Sequence, residues 1–357
     1  MATRRWLVAA GVAAVLVTEA VLVLPHVEAA GDALAHPRVG WILVALALEA
    51  ASMTTFARLQ RRMLFAGGLR VTLRAAVATT LAANALSVTL PAGPVVASGY
   101  TVRRMRGWGA SPPLIGWSLV ASGILSSVAL AVIGLVGASL AGGSIHPVTV
   151  VLEVVAVAVL IWGLRSASRN EHLLRRVGAL AAGAAVRIAR RSPEGAHRRA
   201  DRLVDELLTV QPRTRDWVLG LLFAALNWLA DLGCLVAACH AVRAPGPSLT
   251  TALLAFAAGM AASSVPLLPG GLGVVDAAMV LTLVRGGLPA GAATAAVLLY
   301  RIISLGLVGV AGWLALGALR LRADRREAGA GAAGPAPTDA SITRMPPQPV
   351  TVGCSRR

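Results

Sequence analysis

Apolar runs of membrane-spanning length, set between short blocks of arginine, constrain this chain more than any other feature. A bilayer core of about 30 Å is crossed by roughly 20 helical residues. Six segments qualify as full crossings: about 6–24, 40–56, 114–138, 148–164, 217–241 and 291–319. Two further apolar regions, about 75–105 and 249–285, are each interrupted near the middle by Pro and Gly. Hydrocarbon offers a backbone no hydrogen-bond partner but itself, so such crossings are helical. The expected fold is all-α: a polytopic membrane protein with six full spans plus two broken or re-entrant helical hairpins.

Composition agrees and narrows the chemistry. Of 357 residues, 57% are hydrophobic, more than a soluble domain with a polar surface carries. The formal charge of +17 rests on arginine alone, since the sequence contains no lysine. That absence excludes a P-loop lysine, a Schiff-base lysine and a kinase-type lysine, and with them nucleotide motors and pyridoxal enzymes. A basic balance in a membrane chain marks topology and anionic lipid, and nucleic acid is not an expected partner. Cys234, Cys239 and Cys354 form no CxxC pair, and the six histidines are scattered. No disulfide framework, metal site or cofactor is expected. Arg4 and Arg5 precede an apolar run too long for a signal peptide, so the first segment reads as a retained span.

Arginine placement orients the spans. Arg4 and Arg5 put the N-terminus in the cytoplasm, and Arg58, Arg61, Arg62, Arg70 and Arg74 mark the next inner loop. The first broken region is followed at once by Arg103, Arg104 and Arg106, so both its ends lie inside. The loop 165–215, with twelve arginines, is cytoplasmic, and Arg320, Arg322, Arg325 and Arg326 place the end of the last span inside too. The second broken region then has both ends outside. Residues 1–140 read as span, span, hairpin, span; residues 148–320 read in the same order with every direction reversed. This is the sign of an inverted-topology repeat within a transmembrane domain of residues 1–322, ahead of a low-complexity tail, 323–357, expected to be disordered. The sign rule does not separate a re-entrant hairpin from two short crossings, and both readings stand. The expected setting is the cell membrane, with both termini cytoplasmic.

An unwound backbone at membrane depth is tolerated only where protein or water satisfies it, so both breaks should face inward. Asn84, Thr89, Ser98 and Tyr100 surround Pro91, Gly93 and Pro94 in the first. In the second, the helix restarting after Gly273 directs free N–H groups and the positive end of its dipole at the break, an arrangement suited to an anion such as lipid phosphate. Asp276 lies in the first turn of that helix, as a cap or as a counter-ion to Arg301 or to a cationic headgroup. Asp231 and Arg301 each lie eleven residues from the outer ends of their helices, roughly 16 Å deep, where a lone charge costs ~2.5–3.5 kcal/mol or more. They are expected to pair or to line water. Glu49 lies at similar depth with no obvious partner. Ser118, Ser122 and Ser126 form a polar stripe that helix packing explains equally well.

The stretch "LPGGLGVVDAAMVLTLVRGGLPAGAATAAVLLYRIIS" resembles the second signature of the lysylphosphatidylglycerol synthase transmembrane family of flippase-like proteins, and "NALSVTLPAGPVVASGYTVRRMRGWGAS" resembles its first. The resemblance implies an all-helical fold and assigns candidate substrate-binding residues. Pro269, Gly270, Gly271, Gly273, Asp276, Tyr300 and Arg301 fall on the second signature; Asn84, Pro91, Gly93, Arg103 and Arg104 fall on the first. Asp276 stands where the family more often has Glu, and "PAGPVVASGY" lacks the acidic residue common after its glycine. The best understood members of that family couple such a domain to a cytosolic synthase; none is seen in this sequence, so aminoacyl transfer is not expected of this chain.

The expected function is a flippase-like transporter that moves a phospholipid, with an anionic or aminoacylated headgroup, or a lipid-linked precursor between leaflets. Asp231 and Tyr100 complete the candidate substrate-binding set. The carboxylates are dispersed and the histidines isolated, so no enzymatic activity is expected. The alternative is a membrane partner or anchor for a separate lipid-modifying or glycosyl-transfer enzyme, acting through loop 165–215. A second copy of the chain is the other candidate protein partner.

Overall fold

A computed structural model describes residues 37–90, 92–141, 205, 212–244, 246–263 and 273–332. Among them every regular element is helical and no strand occurs. In chain order these are α1 (Val39–Ala66), α2 (Leu73–Thr89), α3 (Gly93–Gly107), α4 (Pro112–Ala141), α5 (Thr214–Ala241), α6 (Leu249–Ser263) and α7 (Val274–Arg285). Then α8 (Ala290–Arg301) runs through a π-helical turn (Ile302–Leu307) into α9 (Val308–Ala332). The expected spans 6–24 and 148–164 lie outside the described residues, as does nearly all of loop 165–215.

Four apolar stretches are long enough to cross a membrane: Val39–Ala66, Pro112–Leu140, Thr214–Ala241 and Ala290–Leu319. They coincide with four of the expected spans. Their outward faces stay apolar: Val218, Leu222, Leu226 and Leu229 recur along one side of α5, all exposed. In water such a stripe would be a liability; against acyl chains it needs no cover.

The first broken region folds as two helices, α2 and α3, packed on one another across a break at Leu90–Ala92. With 17 and 15 residues they rise about 26 and 22 Å, less than a hydrocarbon core of about 30 Å. The second region forms the corresponding pair α6 and α7, with 264–272 between them outside the described residues.

The central contact joins α1 and α5, each 28 residues long. The Arg38 N–H donates to the Ala241 carbonyl at 2.8 Å, Ser52 Oγ donates to Asn227 Oδ1 at 3.1 Å, and Arg62 pairs with Asp216. Start meets end, middle meets middle and end meets start, so the two helices run antiparallel. Left-handed backbone recurs in matching places after each: Gly68 and Arg243 follow α1 and α5, Ala92 and Gly273 precede α3 and α7, and Gly109 and Gly287 precede α4 and α8. Packing is reciprocal as well. A Cβ on Gly137 of α4 would lie 2.8 Å from the Leu253 Cβ of α6, and one on Gly312 of α9 would meet the Leu81 carbonyl and Ala85 of α2. Small residues bring these helices close without a hydrophobic drive between them.

The chain divides into a unit Met1–Leu316 and a unit Gly317–Arg357 that begins within α9. One expectation changes here. The tail expected to be disordered from Ala323 is helical as far as Ala332, through "ADRREAGAGA", where alanine, arginine and glutamate favour helix despite the glycines. The remainder lies outside the described residues.

Candidate functional site

The helix restart after Gly273 and the charges buried in α5 and α8 come together. Gly273 has φ +78°, a left-handed geometry that glycine adopts without cost, and it turns the chain into α7. Three residues on, Asp276 uses both carboxylate oxygens. Its Oδ2 accepts the Gly273 N–H at 3.0 Å, closing the helix start, and its Oδ1 takes the Arg301 Nε. The cap and the counter-ion are therefore one residue acting with two atoms. Arg301 is largely enclosed, its side chain 12% exposed, and the Asp276 side chain is 28% exposed. The pair is partly withdrawn from solvent, where a charge-assisted hydrogen bond is strongest.

Next to Arg301, the buried Tyr300 donates its hydroxyl to Asp231 Oδ1 of α5 at 2.9 Å. Arg301 and Glu49 both act electrostatically on this neighbourhood. Of the two expected midplane charges, Asp231 is thus held by Tyr300 and Arg301 by Asp276. Glu49 is 4% exposed, and its Oε2 has no hydrogen-bond partner among the described residues. It borders a cavity of about 230 Å3 between α1, α2 and the π-turn, shared with Met53, Leu81, Ile303 and Leu307. A π-turn widens a helix locally and often marks a working site. Here it starts directly after Arg301.

The first-signature residues are placed more diversely. Asn84 donates to the Met53 sulfur at 3.3 Å, which puts it at the edge of the Glu49 cavity. Gly93 is buried, and a Cβ there would collide with the Ser87 carbonyl, so this glycine closes the α2–α3 hairpin. Tyr100 is half-buried beside Ala82, Leu86 and Ala97. Arg103 is exposed, and Arg104 is half-buried. Pro91, Pro269, Gly270 and Gly271 lie outside the described residues.

The serine stripe on α4 is taken up by packing. Ser118 donates to the Ile115 carbonyl, and Ser126 accepts the Trp228 indole N–H at 3.1 Å. Ser122, between them, is buried, and its hydroxyl has no hydrogen-bond partner among the described residues. Among the described residues no group of His, Cys, Asp or Glu is arranged to hold a metal ion.

A family model for the lysylphosphatidylglycerol synthase TM region matches residues 7–312. The chain belongs to this family. The match embraces both signatures and every candidate residue named above. Among curated proteins none matches the chain. Membership in the lysylphosphatidylglycerol synthase TM region family, together with four helices long and apolar enough to cross, makes this a multi-pass membrane protein.

Sequence reasoning missed two features of this geometry. The spacing of Glu49 and Asp231 along their own helices marks depth, but only the antiparallel crossing of α1 and α5 brings them near each other. The arginines at the end of α1 served to orient the chain; nothing in their order indicated that they line a common pocket.

Proposed function

We propose that the chain is a flippase-like lipid transporter of the cell membrane, with both termini cytoplasmic and its halves related as an inverted-topology repeat. The equal lengths of α1 and α5, their antiparallel crossing and the three matched left-handed positions support the repeat. One observation carries the transport reading: Arg301–Asp276 and Tyr300–Asp231 lie side by side deep in apolar helices, at a helix start and beside a π-turn. Charges that deep are costly and are retained where something polar passes or a proton moves. In this reading Arg301 and the N–H groups at the α7 start hold lipid phosphate, while Asp231 and Asp276 balance charge. Glu49 lends a further carboxylate to the same path, and acyl tails stay in lipid as the headgroup passes. The lipid is a phospholipid with an anionic or aminoacylated headgroup or a lipid-linked precursor, and no covalent step is performed on it.

Reconstitution into liposomes with fluorescent lipids tests the proposal. The wild type is expected to exchange lipid between leaflets faster than empty liposomes, and Arg301→Ala and Asp276→Ala to lower that rate at least tenfold. Exchange by the wild type at the empty-liposome rate across several headgroups would remove the transport reading.

A further inference from the structure

We infer that the protein has a second lipid site, a basic pocket at the C-terminal end of α1 that binds the phosphate of an anionic phospholipid. The pocket has a volume of about 560 Å3 and lies between the last turns of α1, the α1–α2 connection and the first turns of α5. Arg58, Arg61, Arg62 and Arg70 line it. It is separate from the midplane cluster: Arg62 is thirteen residues beyond Glu49 on one helix, roughly 20 Å along its axis.

Three of the four guanidinium groups are held in different ways. Arg61 Nε donates to the Val71 carbonyl at 2.8 Å. Arg62 pairs with Asp216, which also accepts the Arg213 N–H at 2.8 Å. Arg62 and Arg70 stand 5.2 and 5.9 Å from the centre of the Phe65 ring. The Arg62 Nε is buried with no acceptor among the described residues. Among the described residues Asp216 is the one carboxylate paired with these arginines. Among the described residues, four cations facing one space with one acidic neighbour leave an excess of positive charge, and a phosphodiester supplies the compensating anion. Guanidinium forks match phosphate oxygens in pairs, which a point charge does not.

The rest of the wall decides between a lipid and a free anion. Phe65, Leu219 and Phe223 face the same space as the arginines. Phe65 is 42% exposed, and the adjoining α5 surface continues through Val218 and Leu222, at 59% and 48%. An acyl chain running from a bound phosphate would cover this surface, whereas a free anion would leave it bare. The inference requires binding alone and stands apart from the transport reading.

The full-length protein in neutral detergent, followed by thermal unfolding, tests it. The probes are short-chain phosphatidylglycerol, phosphatidylcholine with the same chains, and inorganic phosphate. Phosphatidylglycerol is expected to raise the midpoint saturably, and the other two are not. Arg58→Gln and Arg70→Gln are each expected to raise the half-saturating concentration about fivefold, the scale of one basic group at an anionic surface. Arg285→Gln, on α7, is expected to leave it unchanged. Arg61 and Arg62 are left intact because they make structural bonds. If Arg58→Gln does not fold, Arg70→Gln alone supplies the comparison. Equal stabilisation by phosphatidylcholine, equal stabilisation by inorganic phosphate, or wild-type response in the Arg70→Gln variant would overturn the assignment. Failure of wild-type leaflet exchange with this binding intact would remove the transport reading and leave the pocket.

Discussion

At the scale of single residues, Asp276 separates two roles by oxygen. Oδ2 caps α7 and Oδ1 holds Arg301. Asparagine keeps an acceptor for the Gly273 N–H but has no charge for the guanidinium. Asp276→Asn should therefore lose the ion pair alone, while Asp276→Ala should lose about 1 kcal/mol more with the cap. The pair is only partly withdrawn from solvent, so breaking it is expected to cost about 1–3 kcal/mol, between an exposed and a buried pair. Thermal unfolding in detergent is expected to rank wild type above Asn and Asn above Ala. Leaflet exchange should fall equally in both variants, and full exchange by Asp276→Asn would assign this residue to capping alone. The positions of Glu49, Asp231 and Arg301 along their helices were legible because an α-helix turns sequence separation into distance. Their partners were not legible, since Tyr300 and Asp231 are 69 residues apart and meet only through packing.

Elements are decided by where the backbone can come close to itself. The α2–α3 hairpin closes because Gly93 has no Cβ to strike the Ser87 carbonyl; Gly99, one helix face away on α3, has open space around it. Gly93→Ala is expected to destabilise the fold by about 1–3 kcal/mol, since backbone must move to admit the methyl group. Gly99→Ala is expected to be neutral or to gain up to about 1 kcal/mol from helix propensity. Unfolding midpoints of the two variants check this, and equal midpoints would contradict the close approach. Both breaks were visible as Pro and Gly clusters within apolar runs. The π-turn was not: nothing in "IISLGL" differs in composition from an ordinary span, and the register shift falls where the π-turn itself meets α1 and borders the Glu49 cavity.

For the whole molecule, the antiparallel pairing of α1 and α5 sets which ends share a side. Arg38 meets the end of α5, so Arg38 and Arg243 belong to one face, and Arg74, beyond the far end of α1, to the other. In a Cys354→Ser background the remaining Cys234 and Cys239 are buried and should react little. Arg38→Cys and Arg243→Cys are expected to label with a membrane-impermeant maleimide in intact cells. Arg74→Cys and Arg106→Cys are expected to label only after permeabilisation. Labelling of all four from outside would reject the proposed orientation.

The sequence by itself determined that the chain is helical and crosses a membrane, where its helices break, and how far along those helices its charges lie. Each of these is a one-dimensional property: run length against bilayer thickness, breaker residues within a run, and rise per residue. Only the tertiary structure decided that Asp276 meets Arg301, that Asp231 meets Tyr300, and that four orienting arginines line one pocket. Those contacts join distant parts of the chain, and they depend on which helix faces interlock. Alanine- and glycine-rich faces permit many such fits, and the order of residues along any one of them does not choose among them.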